Sequence, residues 1–180
     1  LPMEKKSLKT ATFAGGCFWC LVAPFESIDG VEAVISGYGG GTEKNPSYRE
    51  VSSGMTGHRE AVQIHYDSDK VDYTTLVEAY WRTIDPTDES GQFADRGKHY
   101  QTGIFYGNQE EKEIAERSKK ALDNSGKFKQ PIVTEILPFV SFYPAEEEHQ
   151  QYYLKNPAHY QLYKEGSGRG GFLRKTWGGK

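Results

Sequence analysis

The chain of 180 residues is poor in cysteine, in long apolar runs and in net charge. Only two cysteines occur, both in one C-x-x-C within TFAGGCFWC, Thr12 to Cys20. A bridge between such close neighbours closes too short a loop to remove much chain entropy, so the pair is chemical and not an architectural staple. No apolar stretch approaches the roughly 18 residues that cross a bilayer, and the opening LPMEKKSLKTATF lacks a signal peptide's apolar centre. A cytoplasmic location is therefore expected. A formal net charge of -3, with both signs spread along the chain, argues against nucleic acid or a membrane surface as partner. No second cysteine pair and no glycine-rich dinucleotide motif appears, so neither metal nor cofactor is expected.

What is abundant is aromatic surface. Phe, Tyr and Trp make up 13% of the residues, with Tyr the commonest at twelve, and such side chains dominate cores and pockets. The length is enough to bury about two thirds of the surface an unfolded chain exposes.

Hydrophobic periodicity predicts strands at Lys9 to Ala14, Val31 to Tyr38, Ala61 to Tyr66, Gly103 to Tyr106 and Ile132 to Leu137. It predicts helices at Cys17 to about Ile28, with Pro24 a kink or early break, at Asp72 to Ile84, at Gln109 to Ser125 and at Ala145 to Leu154. Gly39 to Gly57 and Asp85 to His99 read as loops, and the tail from Gly166, GSGRGGFLRKTWGGK, has too much glycine for either element. With no internal duplication and no linker, the pattern is one α+β domain over residues 1–180, with helices on a mixed sheet and a long coil C-terminal segment. Residues 1–8 are expected to be flexible.

A strand, two glycines, a cysteine and then a helix would set Cys17 at a helix N-terminus, where unpaired N–H groups favour a thiolate. Cys20 would follow one turn on, within reach of a disulfide. Cys17 is then the attacking thiol and Cys20 the resolving one. Three other readings compete. Half a zinc site lacks its second half, although His149 and His159 exist. Inert core cysteines fit poorly with Gly15-Gly16. A thioredoxin-like dithiol exchanger is the strongest rival, but Phe18-Trp19 makes an apolar wall beside the sulfur that suits a small apolar group.

Read in order, GGCFWC, SGYGGG, NPSYREVSSGMTGHREAV, DRGKHYQTGIFY and FYPAEEEHQQYYLKNP resemble the A-type peptide methionine sulfoxide reductases, from about Thr10 to the chain's end. The resemblance implies a ferredoxin-like two-layer sandwich. It also implies thiol-dependent reduction of methionine S-sulfoxide, free or in oxidised proteins, and hence protein repair, served by a thioredoxin-like reductant. A monomer is expected. Reduction of sulfoxide epimers by dedicated reductases is general knowledge of methionine oxidation. Cys17 is implied as nucleophile, and Glu50 of YREV as the acid that protonates the sulfoxide oxygen. Since a carboxyl of ordinary pKa is protonated about one part in five hundred at pH 7, burial must raise Glu50. Tyr38 and Tyr100 are implied as hydrogen-bond donors to that oxygen, Asp95 as an acid that positions groups or water, and Phe18 and Trp19 as the seat of the substrate methyl. His58 reads as a loop-orienting residue. Many relatives have Gly at the position of Cys20 and a recycling cysteine in the tail. This tail has none, which leaves Cys20 or an outside thiol to resolve the sulfenic acid. Taken singly, each of these aromatics is more often core and each Glu more often surface; a tyrosine-rich binding module is the non-enzymatic alternative.

Overall fold

The computed structural model describes residues 8–178. Apart from Leu8, the segment expected to be flexible lies outside the described residues. The chain runs β1 (Leu8–Ala14), α1 (Trp19–Glu26), β2 (Val31–Gly39), α2 (Tyr48–Ser52), β3 (Arg59–Asp67), α3 (Tyr73–Trp81), β4 (Gly91–Gln92) and β5 (Asp95–Arg96). It continues through β6 (Gly103–Tyr106), α4 (Gln109–Asn124), β7 (Glu135–Pro138), β8 (Phe142–Pro144), α5 (Tyr152–Lys155), α6 (Pro157–Gly166) and α7 (Arg169–Trp177).

Six strands form a mixed sheet in the order β7-β6-β1-β3-β2-β8, antiparallel except for β6 with β7. Register fixes which side chains meet: Phe13 lies opposite Val62 on one side and Ile104 on the other. Side chains alternate along a strand, so Glu60, Val62, Ile64 and Tyr66 share the face that carries Phe13. That face packs into the main core with Leu21 and Phe25 of α1 and Leu76, Val77 and Tyr80 of α3. Phe13 stacks on Phe25 and on Tyr80, with centroids 5.6 and 4.9 Å apart. One polar residue, Glu60, thus stands in an otherwise apolar row beneath the helices.

The long helices form where caps and periodicity agree. Asp72 accepts the Thr75 N–H to start α3, and Asn108 accepts that of Glu111 to start α4, whose first turn carries Glu110 and Glu111. Pro24 lies inside α1, which ends two residues later.

Four expectations are corrected. Asp85 to His99, expected as a loop, holds the short antiparallel hairpin of β4 and β5, turned through Phe93 at positive φ. The Gly39 to Gly57 loop contains α2, nucleated by a capping box in which Ser47 and Glu50 satisfy each other's backbone N–H groups. Between Ala145 and Leu154 there is a single 3-10 turn at Glu147–His149 and the start of α5, because Gln151 takes a left-handed conformation that breaks any continuous helix. The C-terminal segment is not coil: α6 and α7 occupy it. Tertiary contacts there outweigh glycine's low propensity. Phe172 packs on Phe93 and Phe128, and Trp177 lies under the cations of Arg82 and Lys127, each 4.5 Å from the ring.

Candidate active site

β1 delivers the chain into a space that only glycine fills. A Cβ on Gly15 would lie 2.7 Å from an Ile84 methyl. Gly16 has φ +85, and its Cβ would lie 2.6 Å from Gln92 and 2.7 Å from the Arg169 guanidinium. Conformation and space both forbid a side chain. Gly16→Ala is therefore expected to destabilise the fold by about 2 kcal/mol or more, read from the urea unfolding midpoint.

Cys17 follows at 5% exposure, with Cys20 at 2%. Both are free thiols, and their side chains are hydrogen-bonded to each other. The expected thiolate at a helix N-terminus is not what the site holds at rest. α1 begins only at Trp19, and the Phe18 N–H, which would favour a charged sulfur, donates instead to Glu60 Oε1 at 3.2 Å. Burial pushes the Cys17 thiol well above its ordinary range, with the Cys20 hydrogen bond and Glu60's charge adding to it. Cys20 moves the other way, lowered by its bond with Cys17 against burial, and by Arg169 and Lys164.

Glu60 is the carboxyl of the site. It is 1% exposed, and its Oε2 has no hydrogen-bond partner among the described residues. Burial pushes it up to about 8, with Asp95 and Cys20 adding to the rise. At neutral pH it is thus about nine parts in ten protonated. Glu50, by contrast, is exposed: its Oε1 accepts the Ser47 N–H at 2.9 Å and its N–H donates to Ser47 Oγ at 3.1 Å. The burial expected of Glu50 belongs to Glu60.

Of the two expected tyrosines, the structure brings one to the sulfur. Tyr100 is half-buried, its phenol pushed up by burial and then by Glu60, Tyr48, Asp95 and Cys17. Tyr38 is fully buried, but its hydroxyl is engaged elsewhere, donating to Glu146 Oε1 at 2.7 Å. The second phenol beside Cys17 and Glu60 is Tyr48, which opens α2 and hydrogen-bonds Tyr100; burial, Glu60 and Cys17 raise it. Asp95 accepts a hydrogen bond from Tyr163 of α6, and Tyr163 also hydrogen-bonds Cys17. Phe18 is buried against Tyr38, Tyr48 and His149. Trp19 stacks on Tyr152 at 3.9 Å and donates its Nε1–H to His149 Nδ1 at 3.2 Å. His58 holds its loop: its Nδ1 accepts the Gly41 N–H at 3.2 Å and its Nε2 pairs with the Glu43 carbonyl at 2.7 Å. Among the described residues no group of three or more His, Cys, Asp or Glu converges as a metal site.

Four residues here escaped the sequence reading: Glu60, Tyr48, Tyr163 and Arg169. Glu60 had a signal, an acid on the inward row of an alternating strand. Tyr48 had one too, in the S-x-x-E that starts α2. Tyr163 and Arg169 had none: no element is predicted over Pro157–Gly166, and the glycine-rich composition hides α7.

Taken together, the site is a buried dithiol beside a buried protonated carboxyl, with two phenols and an aromatic wall. A family model described as peptide methionine sulfoxide reductase matches residues 9–180. The Listeria monocytogenes peptide methionine sulfoxide reductase MsrA is 58% identical over 177 residues, covering 98% of this chain and 100% of that protein. The crystal structure of reduced Mxr1 from Saccharomyces cerevisiae superposes with a TM-score of 0.76 at 31% identity, over 84% of this chain and 87% of that one. Mxr1 in complex with Trx2 aligns at a TM-score of 0.54 and 21% identity, over 84% and 89% of the two chains, a likeness of fold.

Proposed function

Because the chain belongs to the A-type peptide methionine sulfoxide reductases, which are oxidoreductases, we propose that it reduces methionine S-sulfoxide through a Cys17 sulfenic acid and a Cys17–Cys20 disulfide. One observation carries this reading: a buried, largely protonated Glu60, one oxygen unpartnered, shares its surroundings with a buried cysteine. Such a carboxyl is a general acid kept ready at neutral pH.

The substrate's S-methyl rests against Phe18 and Trp19. Burying one methyl contributes only about 0.8 kcal/mol, so the wall orients the group more than it holds it. Cys17 must ionise to attack. A protonated Glu60 favours this, since it removes the negative charge that adds to Cys17's raised pKa. The thiolate attacks the sulfoxide sulfur as Glu60 protonates its oxygen, and Tyr48 and Tyr100 donate hydrogen bonds to the same oxygen. Attack joins Cys17 to the sulfoxide sulfur; the protonated oxygen then shifts to the Cys17 sulfur as that S–S bond and the methionine S–O bond break, so methionine leaves and Cys17 remains as the sulfenic acid. Attack by the Cys20 thiolate forms the disulfide and expels hydroxide, which leaves as water after taking up a proton. Asp95, bonded by Tyr163, orders the groups around the sulfur. Tyr38 and Glu50 support the site at one remove, through Glu146 and through the start of α2.

A thioredoxin-like dithiol reduces the disulfide, a reading supported by the yeast relative's complex with Trx2. Such a cycle needs a compartment that keeps thiols reduced, such as the cytoplasm; among the described residues no helix is long and apolar enough to cross a membrane. We further read β1-α1-β2-β3-α3-β6, with β6-β1-β3-β2 adjacent in that order, as a ferredoxin-like sandwich to which β7 and β8 add edges. The chain acts as one domain and as a monomer in repair of oxidised proteins.

The discriminating assay supplies the two sulfoxide epimers and an insulin-type disulfide separately. Methionine from the S epimer alone is expected; insulin reduction without sulfoxide turnover would place the chain among general dithiol exchangers. Cys20→Ser is expected to release one methionine per chain and then stall when a thioredoxin is the sole reductant. Repeated turnover of that variant with thioredoxin alone would remove Cys20 as the resolving thiol.

A further inference from the structure

Arg169, the first residue of α7, is the largest fully buried side chain of the described residues, at 1% exposure. Its guanidinium donates to the carbonyls of Thr83 at 2.5 Å and Gly15 at 2.9 Å, and its centre lies 4.8 Å from the Phe93 ring. A Cβ on Gly16 would meet it at 2.7 Å, so it lies against the backbone that leads into Cys17. No carboxylate forms an ion pair with it among the described residues; the nearby Glu165 pairs with Arg174. A guanidinium cannot shed its proton at any ordinary pH, and a buried charge left unpaired is among the most unfavourable arrangements in a protein. Carbonyl dipoles and a ring face solvate it in part, and an anion is still wanted. The groups whose charges act on Cys20 are Cys17 in the preceding turn, Glu60 on β3, Asp95 on β5, Lys164 and Tyr160 on α6, and Arg169 itself. Of these, Glu60 is held mostly neutral and Asp95 is bonded by Tyr163, whereas Cys20 is a buried thiol able to become an anion.

We propose that Arg169 is a positioning residue of the second half-reaction: its buried guanidinium is the counter-charge of the Cys20 thiolate that condenses with the Cys17 sulfenic acid. Its role in catalysis rests on Cys20 being the resolving thiol; its effect on the charge of Cys20 does not. In the condensation the Cys20 thiolate supplies the electron pair, the new S–S bond replaces the Cys17 S–O bond, and the departing hydroxide takes a proton to become water. The direction in which Arg169 moves the Cys20 thiol, downward, agrees with this. The C-terminal segment, which holds no cysteine, thus supplies the charge that lets an internal thiol resolve the intermediate.

The test titrates thiolate absorbance in the reduced protein and in Arg169→Gln, with folding checked by near-ultraviolet circular dichroism. The first thiolate is expected to form at a midpoint about one pH unit or more higher in Arg169→Gln, a tenfold loss of thiolate below the midpoint. An unmoved midpoint overturns the proposal. Should Arg169→Gln not fold, Arg169→Lys carries the test: a midpoint within about half a unit of the parent supports the charge, and one at the ordinary thiol value of about 8.5 overturns it. A second readout follows disulfide formation after stoichiometric sulfoxide. Its pH profile should shift upward with the thiolate midpoint in Arg169→Gln and return in Arg169→Lys. If the parent protein gives no methionine, the proposed function fails while the titration still judges Arg169.

Discussion

Glu60→Gln slows the methionine-forming step by about 10²–10⁴-fold, the usual worth of a positioned general acid, in rapid-quench single turnovers at neutral pH. Glu50→Gln, by contrast, leaves that step within about twofold, because Glu50 is exposed and serves only to cap α2. The pH dependence separates Glu60's part from simple packing. Its pKa is raised to about 8, so the protonated acid is lost as pH climbs through that value while the Cys17 thiol, raised higher still, goes on ionising; the parent's single-turnover rate rises with pH below that value and levels off there. That break should be absent in Glu60→Gln. The substitution acts on stability in the opposite sense. A carboxyl raised in the folded state contributes most below its unfolded pKa of 4.5, and that contribution is lost as pH rises to about 8. Glu60→Gln should therefore unfold at higher temperature than the parent at pH 8 while being far slower. An acid retained only for packing would show no such opposition.

Cys17→Ser abolishes sulfoxide turnover to below detection with any thiol reductant, measured as methionine formed. A serine hydroxyl does not ionise in this buried site, and it has no route to a sulfenic acid. A tyrosine-rich binding module predicts the reverse, function intact in Cys17→Ser. Because Cys17 is 5% exposed and hydrogen-bonded to Cys20, a second variant asks how the dithiol is organised. In Cys17→Ala, which has no hydroxyl to replace that hydrogen bond, the Cys20 thiol loses its largest lowering influence and should titrate higher.

The sheet was largely legible because its strands carry a clean period of two. Lys9 to Ala14, Val31 to Tyr38 and Ala61 to Tyr66 fall within β1, β2 and β3. The Gln109 to Ser125 helix matched α4 nearly to the residue, since cap, charge order and stop signal all agreed. Reading failed where local composition and tertiary packing disagree. Arg169 to Trp177 is rich in glycine, yet it is helical because Phe172 and Trp177 dock and Arg169 is buried. The burial expected of Glu50 fails for a related reason. YREV and GHREAV each offer an acid, and the strand register that sets Glu60 in a row with Val62 and Ile64 makes it the buried one. Tyr38 is more buried than Tyr48, but Glu146 takes its hydroxyl, and it is Tyr48 whose phenol feels Glu60 and Cys17.

The central claim is that Cys17 reduces the sulfoxide and Cys20 closes the cycle. It is tested most directly by mass spectrometry of the reduced protein after one equivalent of methionine S-sulfoxide, with free methionine counted in the same sample. The account predicts one methionine per chain, the loss of two hydrogens from the protein, and a peptide in which Cys17 and Cys20 are joined. Methionine released with Cys17 left as a sulfenic acid and Cys20 still free would contradict it.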